Sequence, residues 1–239
     1  MASLQSTVSA LQSQVNSLET SNTTLQNQLA AVQSNKALAL GPIVSVDPNP
    51  EIGVVGPHIT FTGANIHIVS GSGMTNEGSN PRGLGNLIIG YDEAPSAARP
   101  PLSPGDRGGS HNLVIGAAHR FTQIAFGGLV AGEVNTINNI GASVTGGHDN
   151  TASGFEASVS GGQFNTASGE VASVSGGHSN TASGFFATVS GGQVNTASGP
   201  ATVSGGSGNT AGGIGTVVIG GQNVTDNNNN SIAPQPPFP

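Results

Sequence analysis

The sequence has no cysteine, no tryptophan, one tyrosine, and only five basic against twelve acidic side chains in 239 residues. Each shortage excludes something. Without thiols there can be no disulfide staple, no thiolate zinc site and no thiol nucleophile. With five Lys and Arg there is no basic face for nucleic acid, and no charge-driven partner is indicated. With aromatics at 4%, a globular core of large side chains is not expected, and something repetitive or fibrous has to replace it. No run of about 18 apolar residues exists to span a bilayer, and Met1-Ala-Ser-Leu-Gln5 has neither a basic patch nor an apolar stretch. Neither a membrane span nor a signal peptide is therefore expected. What is abundant is small or stiff: 38 glycines and 14 prolines.

The first segment, residues 1–34, reads as a coiled coil. Leu4, Val8, Leu11, Val15, Leu18, Leu25, Leu29 and Val32 alternate steps of four and three, with Asn22 filling the one gap. That is a 3.5-residue period, with Leu4, Leu11, Leu18, Leu25 and Val32 at d and Val8, Val15, Asn22 and Leu29 at a. A single buried Asn fixes register at a cost in stability, so Asn22 is the expected register residue. The flanks are Ser, Thr, Gln and Asn, with only Glu19 and Lys36 charged nearby. Partner choice cannot rest on ion pairs, and parallel self-association is the simple reading. Val and Leu placement alone leaves dimer and trimer both open.

From residue 86 the chain counts in fifteens. An apolar residue followed three places later by glycine recurs at Leu87/Gly90, Leu113/Gly116, Leu129/Gly132, Val144/Gly147, Val159/Gly162, Val174/Gly177, Val189/Gly192, Val203/Gly206 and Val217/Gly220. These nine positions predict about nine coils of 14–16 residues, with an insertion at 91–111. Asn recurs at 135, 150, 165, 180, 195, 209 and 223, Ala at 152, 167, 182, 197 and 211, and Gly at 154, 169, 184, 199 and 213. Fifteen extended residues make a closed path of about 50 Å, room for two short strands and two turns, and stacking at about 4.8 Å pairs each coil with the next. The expected fold is an all-β solenoid, a parallel β-roll with Val and Ala inside. Glycine in both turns is expected to supply positive φ, and stacked Asn amides to satisfy turn carbonyls. So thin a roll buries little apolar area, and association of several rolls would complete it.

Asn86-Leu-Ile-Ile-Gly90, Asn112-Leu-Val-Ile-Gly116 and Thr216-Val-Val-Ile-Gly220 resemble the Ser-Val-Ala-Ile-Gly motif of trimeric autotransporter adhesin heads. The Gly147, Asn150, Ala152, Gly154 order is similar to that family as well. The resemblance covers residues 86–225. It implies a left-handed β-roll, three rolls about a threefold axis in a homotrimeric fibre, and attachment at a cell or virion surface. Central coils carry Gly146, Gly161, Gly176, Gly191 and Gly205 where the motif has Ile. The coiled coil precedes the roll, an order that suits a tail-fibre-like or secreted-fibre arrangement.

Residues 35–85 read as a connector and cap, with short strands at Ile59/Phe61 and Ile66/Ile68, because a solenoid end left bare exposes unpaired strand edges. The insertion holds Asp92, Glu93, Arg99, Asp106 and Arg107 between prolines, and reads as an excursion loop or a ligand-binding loop. Residues 226–239 form an Asn- and Pro-rich tail.

Catalytic chemistry is sparse. Asp149 and Glu156 are the nearest thing to paired carboxylates, but they occupy variable turn slots. His148 and His178 stand two coils apart, about 10 Å, too far to share a metal ion. Glycine-rich stretches lack the Lys and Ser/Thr of a phosphate loop. No enzyme activity, cofactor or metal is expected. The turn slots vary freely, so His148, Phe155, Phe164, His178, Phe185 and Phe186 are the candidate recognition residues, toward a cell-surface glycan or protein. The expected function is a homotrimeric extracellular attachment or structural fibre. The alternatives are a self-assembling extracellular filament, and an ice- or crystal-binding solenoid presenting Thr151/Ser153, Thr166/Ser168, Thr181/Ser183 and Thr196/Ser198.

Overall fold

The computed structural model describes residues 1–34, 40–41, 43–48, 56–80, 82–94 and 101–234. They form two units, Met1–Ile66 and His67–Pro239. The first begins with α1, Ala2–Gln33, a stretch without Gly or Pro in which Leu, Ala and Gln favour helix. Its hydroxyls bond back along the helix, as from Thr7 to the Ser3 carbonyl and from Thr20 to that of Asn16. No residue of α1 is buried, so every member of the apolar stripe faces solvent in the single chain. Beyond it, β1 (Val44–Asp47) pairs antiparallel with β2 (His58–Phe61). The Ile59/Phe61 alternation thus finds its partner upstream, and Ile66 and Ile68 form no strand.

The second unit is a parallel β-solenoid of about eight turns. Its larger sheet has ten strands in order along the axis, from β3 (Leu87–Ile89) and β4 (Leu113–Ala117) to Ile232–Ala233. The other has eight, from β5 (Arg120–Phe121) to Thr225–Asp226. Central strands are two residues long, one inward and one outward, joined by tight corners. The inward residues of a central coil are one Val, two Ala and one Asn. Val114, Val130, Val144, Val159, Val174, Val189, Val203 and Val218 stack as one fully buried column. Ala152, Ala167, Ala182, Ala197 and Ala211 form a second, headed by Phe121 and Ile137. Ala142, Ala157, Ala172 and Ala187 form a third, which sequence reasoning passed over.

Four expectations need correction. Val144 pairs with Val130 and Val203 with Val218, so Leu87, Leu113, Leu129 and Val217 belong to the outward column of Ser143, Ser158 and Ser173. The slip arises because the corner glycine lies two residues after Val114 and Val130 but three after Val144. At the far end, the glycine stacked on Gly206 is Gly221, and Val224 takes the Asn place, its amide donating to Asn209 Oδ1 at 2.8 Å. Asn223 sits one position earlier, at φ 56°. Finally, only the corner after the Val strand needs glycine for its backbone, with Gly147 at φ 79°. Gly154 and Gly169 have ordinary φ and are required by space, since a Cβ on either would overlap the carbonyl of the coil beneath.

The Asn column is an internal ladder. Asn165 Oδ1 accepts the Asn180 amide at 3.0 Å, and its Nδ2 donates to the carbonyls of Gly161 (2.9 Å) and Gly177 (3.0 Å). Asn150, Asn180, Asn195 and Asn209 repeat the scheme. The top rungs are disguised. His119, fully buried, accepts the Asn135 amide at Nδ1 (3.2 Å) and lies 3.0 Å from the Ile115 carbonyl through Nε2, so the ring does what an Asn amide does below it. Above it, Asp92 accepts the His119 amide at 2.9 Å and, having no N–H of its own, pairs with Arg107 at 3.1 Å.

Candidate functional site

Two corners join the sheets, and the variable residues lie on them. The corner after the Val strand carries Glu133, His148, Gln163, His178, Gln193, Ser207 and Gln222 in one bridged column. Phe164, one place on in its coil, lies between the two histidines, edge-on to His148 at 6.2 Å and to His178 at 5.7 Å. His148 Nδ1 is also 3.7 Å from Asp149 and 3.4 Å from the Gln163 amide. The other corner carries Phe155, Phe185 and Phe186, the last two with ring centroids 4.0 Å apart. The six recognition candidates thus divide into two aromatic clusters on different corners, and they do not converge on one site. Asp149 and Glu156 are likewise on different corners. Among the described residues no group of three or more His, Asp or Glu side chains could hold a metal ion. No helix among them is long and apolar enough to cross a membrane.

Asn22 lies in α1 with its side chain exposed. The charges of the insertion fold back on the first coil: besides the Asp92 pair, Arg107 bonds the His119 carbonyl (3.2 Å), and Arg120 meets Asp106 at 3.3 Å. Arg99 and the middle of the insertion, 95–100, lie outside the described residues, as does the end of the Pro-rich tail, 235–239.

A further cluster gave no signal in the sequence. Ser110 Oγ accepts the amides of Arg82, Gly83 and Leu84 at 3.0–3.3 Å and donates to the buried Glu77 carboxylate at 2.9 Å. Next to it, His111 Nε2 accepts the Ser70 amide at 3.2 Å. Together they clasp the segment from His67 onto the head of the solenoid. The Ser70 and Ser110 hydroxyls and the Arg82 amide hold the Glu77 carboxyl below its ordinary 4.5, against the opposing effect of desolvation. At the other end Asp226 occupies the Ala column, held below its ordinary 3.8 chiefly by the Asn228 amide and the Ser231 hydroxyl. A carboxyl whose folded pKa is depressed contributes stability that is complete above its unfolded value and vanishes as pH falls through the folded one. Melting temperature is therefore expected to drop on acidification below about pH 4, and Glu77→Gln with Asp226→Asn should flatten that slope. An identical pH profile for parent and double variant would remove both carboxylates from the account.

No protein-family model matches the chain, and no curated protein matches it.

Proposed function

We propose that the chain is the subunit of a homotrimeric, non-enzymatic attachment fibre, in which α1 forms a parallel coiled coil and the β-roll presents a repetitive surface outside a cell or virion. The observation that carries this reading is α1 itself. It has 32 residues, an uninterrupted heptad stripe, and exposures from 72% at Leu4 to 44% at Val15, with nothing among the described residues to cover them. In proteins most of a helix's stability comes from packing its apolar face, so this stripe calls for an apolar partner. A second copy offers the matching register, with Asn22 opposite Asn22.

The first coils add support. Leu87, Leu113 and Leu129 stand in one outward column and Ile89, Ile115 and Ala131 in another, a patch of apolar side chains on the larger sheet. From Ser143 to Ser204 the same face is Ser and Thr, and apolar side chains return at Val217, Ile219 and Ile232, so contact between rolls is expected at the two ends of the roll and not along its middle. Light scattering should give three times the 23.4 kDa chain mass, and Leu18→Glu should reduce it to that of one chain. A monomeric parent protein, or an undiminished mass for the variant, would overturn this reading.

The crystal-binding alternative has one observation in its favour. Thr136, Thr151, Thr166, Thr181, Thr196, Thr210 and Thr225 stand in register on the outward face of the smaller sheet. Thermal hysteresis of the freezing point would mark it.

A further inference from the structure

The corner that carries Phe155 is apolar well beyond the phenylalanines. In seven successive coils its first residue is Phe126, Ile140, Phe155, Glu170, Phe185, Pro200 and Ile214. The register is fixed by backbone bonds from the next coil: Gly141 to Phe126, Glu156 to Ile140, Val171 to Phe155, Phe186 to Glu170 and Gly215 to Pro200. Six of the seven are apolar, so the corner is a ridge about 30 Å long at one coil per 4.8 Å. Its members grow more exposed along the axis: Phe155 is 37% exposed, Phe185 48%, Phe186 56% and Ile214 60%. None is needed inside, where Val and Ala already fill the roll. Along the middle of the roll both strand faces present Ser and Thr outward, and a run of stacked phenylalanines kept in water beside them marks a surface with a use.

Three features of the ridge define what would cover it. It is flanked on both sides by hydroxyl rows, Ser153, Ser168, Ser183 and Ser198 on one sheet and Ser158, Ser173, Thr188 and Thr202 on the other. Phe155 and Phe185 are two coils apart, about 9.6 Å, close to the repeat of an extended β-linked disaccharide. And from Phe121 to Pro239 the chain has no Lys or Arg, while Glu156 and Glu170 stand on this corner. Aromatic faces that stack on sugar C–H groups, hydroxyls that bond sugar hydroxyls, and a complete lack of cations together describe one chemistry. We propose that this ridge binds an extended, neutral polysaccharide lying along the solenoid axis, with acidic glycans refused by charge. Parallel packing against a second copy fits less well, because it would bring Glu170 onto Glu170 in register.

The inference names a partner class for the attachment reading and rests on it, but the ridge is complete in one chain, so the two fail separately. The full-length protein is sedimented with microcrystalline cellulose, β-chitin and immobilised heparin, while light scattering follows its mass. Binding to at least one of the two neutral glycans and none to heparin is expected, with binding insensitive to salt. Phe155→Ser, Phe185→Ser and Phe186→Ser together should lower the affinity at least about tenfold with melting temperature and mass unchanged. Phe164→Ser, on the other corner, should leave it intact. The proposal is overturned if neither neutral glycan binds, if heparin binds as well, or if the triple variant binds as the parent does. It is also overturned if the triple variant changes mass, which would make the ridge a contact between copies. A monomeric parent that still binds through the ridge would sink the fibre reading alone.

Discussion

Asn165→Ala is expected to destabilise the solenoid by about 3 kcal/mol, because it strands a fully buried backbone amide and a half-buried carbonyl. The Asn180 amide loses the acceptor at 3.0 Å, and the Gly161 carbonyl loses its donor at 2.9 Å. The Gly177 carbonyl keeps the Gln163 amide at 2.9 Å. The orphaned Asn180 amide is fully buried and the Gly161 carbonyl half-buried; such groups cost about 1–3 kcal/mol each, the amide toward the upper end, before the lost side-chain packing is counted. Asn223→Gly is the control. That residue is the same type at nearly the same spacing, but it lies outside the ladder with φ 56°, and the substitution should change stability by less than about 0.5 kcal/mol. Urea unfolding of both variants decides the matter. Equal losses would mean that Asn223 is a rung and the ladder ends one coil later.

Val174→Asp should be as severe or worse. Val174 is fully buried between Val159 and Val189 in the same column. A carboxylate there has no Lys or Arg to meet, since Arg120 is the last of either in the sequence. Burying an unpaired charge costs several kcal/mol even after relaxation, about 4 or more. In a stack where each coil touches only its neighbours, the break would separate the coils before it from those after it. His178→Ala, on the exposed corner, should be nearly neutral. Similar melting temperatures for the two would mean that inside and outside are exchanged.

The columns were legible wherever a residue stacks on a copy of itself. Val159, Ala167, Gly169 and Asn165 each recur at fifteen, and the period alone places them. Legibility failed at Leu129, where the corner after the strand is one residue shorter and a fixed spacing from glycine shifts the column by one, and at Val217, where the count ran to Gly220 and the stacked corner glycine is Gly221. It failed again where different letters do one job. Nothing in the sequence says that His119 and Asp92 continue an asparagine ladder, yet the bonds they make are those an Asn would make or a salt-bridged substitute for them. The Glu77–Ser110 clasp joins residues 33 apart with no repeat at all. Of the recognition candidates, exposure of the phenylalanines could be read from their variable slots. The apolar ridge could not, because Ile140, Pro200 and Ile214 join it only once the coils are stacked in register.

Asp92 and His119 at one end, and Val224 and Asp226 at the other, make the two ends of the ladder chemically unlike each other and unlike the middle. Between them a coil such as 150–164 is bounded above and below by the same Asn, Gly, Ala and Val that it carries itself. A tandem duplication or loss of one such cassette would therefore meet the same neighbours and leave both termini in place. Solenoid length is thus a quantity that can change in steps of about 4.8 Å without redesign of the interior. In a lineage of such chains it is the reach of the roll, rather than its cross-section, that is free to drift.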